Sequence, residues 1–189
     1  MNIVSSLINN VVNKYKFRKN GLEIRPDLKI YGQINIRGKN IKFGKGIRIH
    51  SSKKSNVIGG DTQTVFKTIS KGQILIGDNC GISNSTFISQ SMIKIDNNVM
   101  IGGSCKFYDT DFHSIDYQSR MAVPDVTVVS KPIHIEEGVF IGAHSIILKG
   151  VTIGKYSVIG AGSVVASNIP EGEIWAGNPA KFIKRVPKI

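Results

Sequence analysis

Residues 135–170 read IEEGVF IGAHSI ILKGVT IGKYSV IGAGSV VASNIP when broken into rows of six. The rows open on Ile135, Ile141, Ile147, Ile153, Ile159 and Val165, so every first place is a β-branched aliphatic. Gly follows at Gly142, Gly154 and Gly160. The fifth place holds Val139, Ser145, Val151, Ser157 and Ser163, all small or β-branched. Aliphatics fill roughly a quarter of an average chain, so this run of hits at one spacing is not chance. A helix would place apolar residues three and four apart, and a plain strand would alternate every two. The pattern predicts a solenoid of short strands with a turn after each row. The first aliphatic points inward and stacks on its counterpart one coil away. The fifth residue also points inward, into a tight corner, and the Gly relieves the turn.

Upstream the period continues less regularly. Ile76, Ile82 and Ile88 form one run, with Cys80 and Thr86 in fifth place. Ile95, Ile101 and Phe107 form another, with Val99 and Cys105 in fifth place. Both cysteines thus read as buried structural thiols. Ile24, Ile30 and Ile36, then Ile41 and Ile47, extend the period with a one-residue slip. Residues 51–70, with Ser51 to Ser55 and Gly59-Gly60-Asp61, are too polar for the register and predict a bulging loop.

Ile3, Leu7, Val11 and Tyr15 lie four apart, with Ile8 and Val12 beside them. This helical stripe is read as a cap over the open end of the solenoid, which would otherwise expose an edge. Lys14, Lys16, Arg18 and Lys19 follow closely and leave a membrane-surface role as the alternative. The organisation expected is a helical cap at 1–20, an all-β parallel β-helix at 21–170 and a C-terminal tail at 171–189, the tail read as a helix.

Composition sets the outer limits. Hydrophobic residues make up 41% of 189, which fits a folded chain rather than a disordered one. Aromatics are only 7% while Gly numbers 20, which suits a narrow interior with tight corners. The net charge of +12 calls for an anionic partner: nucleic acid, a membrane surface or a phosphorylated small molecule. No nucleic-acid motif or aromatic platform supports the first, so none is expected. The two cysteines show no metal-ligand spacing, and no metal is expected. No stretch approaches the ~20 apolar residues that span a bilayer. No signal-peptide pattern opens the chain, so a cytoplasmic location is expected.

The repeat stops between Phe107 and Ile133. A stack gains nothing from an insertion, so the loop at 108–127 is a candidate functional element. It carries His113 with Asp109, Asp111 and Asp116 close in sequence. A carboxylate beside an imidazole can fix its tautomer and raise its basicity. His50, His134 and His144 fall at outward positions and read as surface residues.

The rows from Ile135 to Val165, the loop from Asp109 to Asp116, and the ending Ala176-Gly177-Asn178-Pro179-Ala180-Lys181 together resemble the hexapeptide-repeat acyltransferases. The nearest subgroup holds maltose and galactoside acetyltransferases and the sugar O-acetyltransferases of surface-polysaccharide clusters. The likeness covers about residues 70–187. It implies a left-handed β-helix with three rows per coil, a homotrimer with sites between subunits, and acetyl-CoA as donor. His113 matches the family's general base, with Asp111, Asp109 or a backbone carbonyl to orient it. Ala143 matches the position whose backbone N–H meets the oxyanion. Gly142, Ala143, Gly160 and Ala161 would line the pantetheine arm. Ala166-Ser167 stands where the family has a Thr-Lys pair, which removes a charged contact and leaves Ser167. Lys181, Lys184 and Arg185 match the cations near the CoA phosphates. Asn84 and Asp109 fall at the acceptor side, and Trp175 stacks on the adenine or closes the last coil. The activity implied is transfer of acetyl to a sugar hydroxyl in polysaccharide or lipopolysaccharide biosynthesis. N-acetylation of a nucleotide-linked amino sugar and a non-catalytic solenoid scaffold stay open as alternatives.

Overall fold

The computed structural model describes residues 3–56, 58 and 62–187. Its body is a parallel β-helix whose three sheets form the sides of a triangular prism. Sheet A stacks Lys29–Gly32, Arg48–Ser51, Gly81–Ser83, Met100–Ile101, Phe140–Ile141, Val158–Ile159 and Glu173–Ala176. Sheet B stacks Asn35–Arg37, Val65–Thr68, Thr86–Ser89, Lys106–Tyr108, Ile146–Leu148 and Val164–Val165. Sheet C stacks Ile41–Phe43, Gln73–Ile76, Met92–Ile95, Ile133–Ile135 and Thr152–Ile153.

Strand pairing puts like on like. In sheet A, Ile49, Ile82, Ile101, Ile141 and Ile159 form one inward column. In sheet B the column runs Ile36, Phe66, Phe87, Phe107, Ile147 and Val165. The three Phe rings stack face to face, with centroids 4.8 and 4.5 Å apart, near the spacing of neighbouring strands. Sheet C aligns Ile76, Ile95, Ile135 and Ile153. In the last coils partners are 18 residues apart (141 with 159, 147 with 165), three rows to a turn.

Register corrects the reading upstream. Phe87 and Ser85 face inward, fully buried, where Ile88 and Thr86 were expected. Coils there are longer (Ile82 pairs with Ile101, Phe87 with Phe107), and the extra residues sit at corners. A corner can absorb a residue, whereas a slip within a strand would turn its apolar side chain to water. Cys80 and Cys105 are buried and unpaired, as the small inward position demands. Burial pushes the Cys80 thiol up to about 11 and raises Cys105 as well. The glycines after the aliphatics do not make the turns. Gly142 and Gly160 lack positive φ, and the left-handed residues lie two places later, at His144 and Gly162.

The excursion after Ser51 is shorter than expected, because Val65–Thr68 returns to sheet B. Gly59-Gly60-Asp61 lies outside the described residues. The tail is not a helix. Glu173–Ala176 extends sheet A, and Lys181–Arg185 folds back on it antiparallel. Gly177 and Pro179 break any helical run, and the sheet edge offers the pairing instead.

The N-terminal segment forms the helix Ile3–Lys19 over the first coil, but Leu7, Ile8, Val11 and Tyr15 of its apolar stripe face out; the Ile3 side chain lies outside the described residues. Val4, Leu7, Ile8, Val11 and Tyr15 are exposed, while Asn13 and Phe17 are buried. The Asn13 side chain donates to Gly32 O and accepts from Ile34 N. Lys16 donates to Ile34 O, and Asn20 donates to Ile36 O and accepts from Gly38 N. The free edge of the first coil presents backbone donors and acceptors, so polar side chains cap it better than aliphatics would.

Candidate active site

The loop leaves the prism at the edge between sheets B and C, after Tyr108, and returns at Ile133. Its root is fixed by Asp109, which is fully buried. One carboxylate oxygen accepts from Ser89 Oγ (2.7 Å) and Ser91 N (3.0 Å), the other from Gln90 N (2.7 Å). Asp109 therefore anchors the loop and does not present itself to an acceptor. The two arms then run antiparallel. Thr110 bridges Ser130, and Asp111 N donates to Val129 O. At the tip a short helix, Tyr117–Met121, is capped by the Asp116 carboxylate, which accepts from Ser119 N.

The carboxylate that meets His113 is Asp125, with Oδ2 3.8 Å from Nδ1. That is ion-pair range rather than a hydrogen bond. The Ser114 hydroxyl and backbone N–H both donate to Asp125, and Ser114 also shares a hydrogen bond with Thr127. These bonds hold the Asp125 carboxyl below the usual carboxylate range, the Ser114 hydroxyl contributing most. Asp111 turns the other way, with Oδ1 2.6 Å from Lys149 Nζ. The carboxylate nearest His113 thus lies on the returning arm and is neither Asp111 nor Asp109. The run Val126-Thr127-Val128-Val129 is the sequence signal for that arm, since β-branched residues favour an extended chain.

His113 is 73% exposed at its side chain. Nδ1 is turned toward a carboxylate, and among the described residues no partner meets the other nitrogen, which could accept a proton from an incoming group. The remaining histidines lie elsewhere. His134 pairs with Asp96 at 2.8 Å on sheet C, His50 stacks on Tyr31 with centroids 4.8 Å apart, and His144 is exposed at a corner.

Gly142, Ala143, Gly160 and Ala161 share a different edge, between sheets A and B. A Cβ at Gly142 would stand 2.5 Å from Ala161 N, and one at Gly160 would stand 2.7 Å from the Ala176 side chain. Only Gly lets the coils close up here, and the edge is left flat and low. The loop makes contacts with Ser89, Gln90, Ser91, Lys131 and Lys149, at or beside the B–C edge. Sheet B lies between that edge and the small-residue column.

Lys181, Lys184 and Arg185 are exposed on the outermost strand; a register shift opposite Ile174 and Trp175 puts Lys181 and Lys184 on one face and Arg185 on the other, with Glu173. Arg185 also lies 3.8 Å from Glu173. Ser167 is exposed beyond Val164–Val165. Trp175 pairs with Ile159 and donates Nε1 to Glu173, so it closes the last coil. Asn84 is fully buried and donates to Thr62 O, pinning the excursion rather than facing an acceptor.

Residues 132–167 match the family described as bacterial transferase hexapeptide (six repeats). A protein of Schizosaccharomyces pombe carrying an acetyltransferase name is 41% identical over 103 residues, 54% of this chain and 48% of that one. A tetrahydropyridine-dicarboxylate N-acetyltransferase of Clostridium perfringens is 56% identical over 55 residues, 29% of this chain and 23% of the enzyme. The chain thus spans about half or less of the length of these curated relatives. Among solved structures, an N-acyltransferase of Bacillus cereus with dTDP-4-amino-4,6-dideoxyglucose and coenzyme A bound superposes with TM-score 0.68 at 21% identity, covering 86% of this chain and 83% of that one. A hexapeptide-repeat acetyltransferase of Vibrio cholerae with acetyl coenzyme A bound gives 0.57 at 24%, covering 97% and 79%. At such identities the structures establish the fold, a left-handed parallel β-helix.

Proposed function

We propose that the chain, whose residues 132–167 match the hexapeptide-repeat transferases, moves an acetyl group from acetyl-CoA to a hydroxyl of a sugar, with His113 as general base. The observation that carries this is the geometry of the loop: an exposed imidazole with a fixed carboxylate beside Nδ1 and its other nitrogen open. His113 would take the hydroxyl proton as the oxygen attacks the thioester carbonyl; the C–S bond would then break and the departing CoA thiolate would take that proton back from the imidazolium. In this reading Asp125, held in place by Ser114, is the carboxylate that flanks Nδ1. When bound, acetyl-CoA supplies the thioester carbonyl under attack, and the Ala143 backbone N–H faces the developing oxyanion.

The flat edge fits the donor. Gly142, Ala143, Gly160 and Ala161 leave room for a narrow chain against backbone, with Ser167 farther along. Lys181, Lys184 and Arg185 offer cations for phosphates. Within one chain the base and this edge lie on either side of sheet B, so the site is completed by the loop of a neighbouring subunit in a homotrimer. Sheet A supports such packing. Its outward row includes Met100 and Phe140, paired in register and 61% and 46% exposed. Grooves at subunit boundaries are a common place for ligands. Among the described residues no helix is long and apolar enough to cross a membrane. The setting we propose is cytoplasmic synthesis of surface polysaccharide.

A second reading, N-acetylation of an amino sugar carried on a nucleotide, draws on the amine-acylating activity named for the Clostridium relative. One assay separates the two. Coenzyme A release is followed with free sugars, nucleotide sugars and their amino counterparts as acceptors. Turnover with hydroxyl acceptors and not with amines is the expected result, and the reverse moves the assignment to N-transfer. His113→Ala should lower kcat by about 10²–10⁴-fold at little change in KM for acetyl-CoA. Undiminished turnover in that variant removes His113 as the base.

A further inference from the structure

The helix Ile3–Lys19 is turned inside out relative to an ordinary surface helix. Its inward stripe is Ser6, Asn9, Asn13, Lys16 and Asn20, with Phe17 alone as an apolar anchor. Its outward stripe is Val4, Leu7, Ile8, Val11 and Tyr15, each exposed by 54% or more. At helical spacing these five fall within an arc of about 100°, a continuous apolar band along the helix. Lys14 and Lys19 are exposed along the flanks of that band, and Arg18 is exposed at its C-terminal end. Lys16 is turned inward onto Ile34 O, and burial lowers its pKa, so it is not one of these flanking cations. The sequence holds no acidic residue before Glu23.

Nothing in the first coil needs this band. The edge is already capped by Asn13, Lys16 and Asn20. An apolar strip without a folding role, edged by cations, matches the boundary between acyl chains and anionic headgroups. A second copy of this chain would meet the same three cations on its own helix, which opposes pairing through this face. The charge therefore selects lipid over self-association. We propose that this helix seats the protein on an anionic membrane surface, lying along it rather than crossing it. Among the described residues no helix is long and apolar enough to cross. The seat uses none of the loop or the A–B edge, so it stands or falls independently of the transfer reaction.

The test is co-sedimentation of the full chain with vesicles of phosphatidylcholine alone and with about one third phosphatidylglycerol. Binding should rise at least about tenfold with the anionic lipid and fall as salt is raised. The double variant Leu7→Ser, Val11→Ser should lose most of this binding while its melting temperature and solution mass stay unchanged. Lys14→Gln with Lys19→Gln should lose the preference for anionic lipid. Three results would overturn the proposal. One is no sedimentation with anionic vesicles, and another is sedimentation indifferent to Leu7→Ser, Val11→Ser. The third is a smaller solution mass in that variant, which would make the band a contact between copies.

Discussion

The coils from Ile133 to Val165 and the helix Ile3–Lys19 both space their apolar residues regularly, and they bury opposite sides of the pattern. In the coils every first-place aliphatic is fully buried, from Ile135 and Ile141 to Ile159 and Val165. In the helix the regular stripe is exposed, and the buried positions are Asn13 and Phe17. The difference lies in what each element packs against. A coil stacks on another coil whose backbone is already paired along the sheet, so the contact left to make is between side chains. The helix packs against the last unpaired edge of a sheet, where peptide groups need partners first. Apolar periodicity identifies a face. It does not say that the face looks inward when the neighbour is a bare edge.

Four measurements would break or sharpen this contrast. The largest effect is expected in the coils. Phe107→Ala empties the end of the stack from Phe66 through Phe87 and should cost about 3–5 kcal/mol in denaturant unfolding. A loss below 1 kcal/mol would mean that the column collapses to fill the gap. Next comes Asn13→Ala, which leaves Gly32 O and Ile34 N without their side-chain partners. We expect a loss of about 1–3 kcal/mol, larger than for the double change Leu7→Ala, Val11→Ala on the same helix. The opposite ranking would show that the apolar stripe, not the polar one, holds the cap.

The third measurement is pH dependence. Cys80 is raised to about 11 in the folded chain, so the fold favours the neutral thiol. The unfolded chain releases that proton from about pH 8.5 upward, and the thiol's contribution to stability falls from there until the folded value is passed. Stability should decline over this alkaline window, and Cys80→Ala should flatten the decline. Equal slopes in the two proteins would show that the fifth place is wetter than its burial suggests. The smallest effect belongs to Val11→Ser, expected within about 0.5 kcal/mol because the residue is 68% exposed.

The loop shows the same division between pattern and contact. The sequence marks His113 as a candidate because it stands where the repeat stops. The carboxylate that approaches it is not marked, since those nearest in sequence turn elsewhere. Asp109 anchors the root on Ser89, Gln90 and Ser91, and Asp111 pairs with Lys149. Asp125 comes to the imidazole only because the arms close antiparallel, a fact of pairing rather than of spacing. Asn84 was likewise read by position and is buried under the excursion it pins.

The prism itself follows from the sequence alone. A β-branched residue every sixth place can be buried in one way, by a chain that turns at each row and stacks on itself, and the glycines mark where the coils come closest. The sequence also located the break that carries His113. Tertiary structure decided the rest: which carboxylate meets the imidazole, which residues of the tail pair as strands, and which side of the N-terminal helix is inside. Each depends on a backbone edge or arm brought near from far along the chain, and hydrogen-bond groups on such an edge leave no periodic mark in the segment that comes to satisfy them.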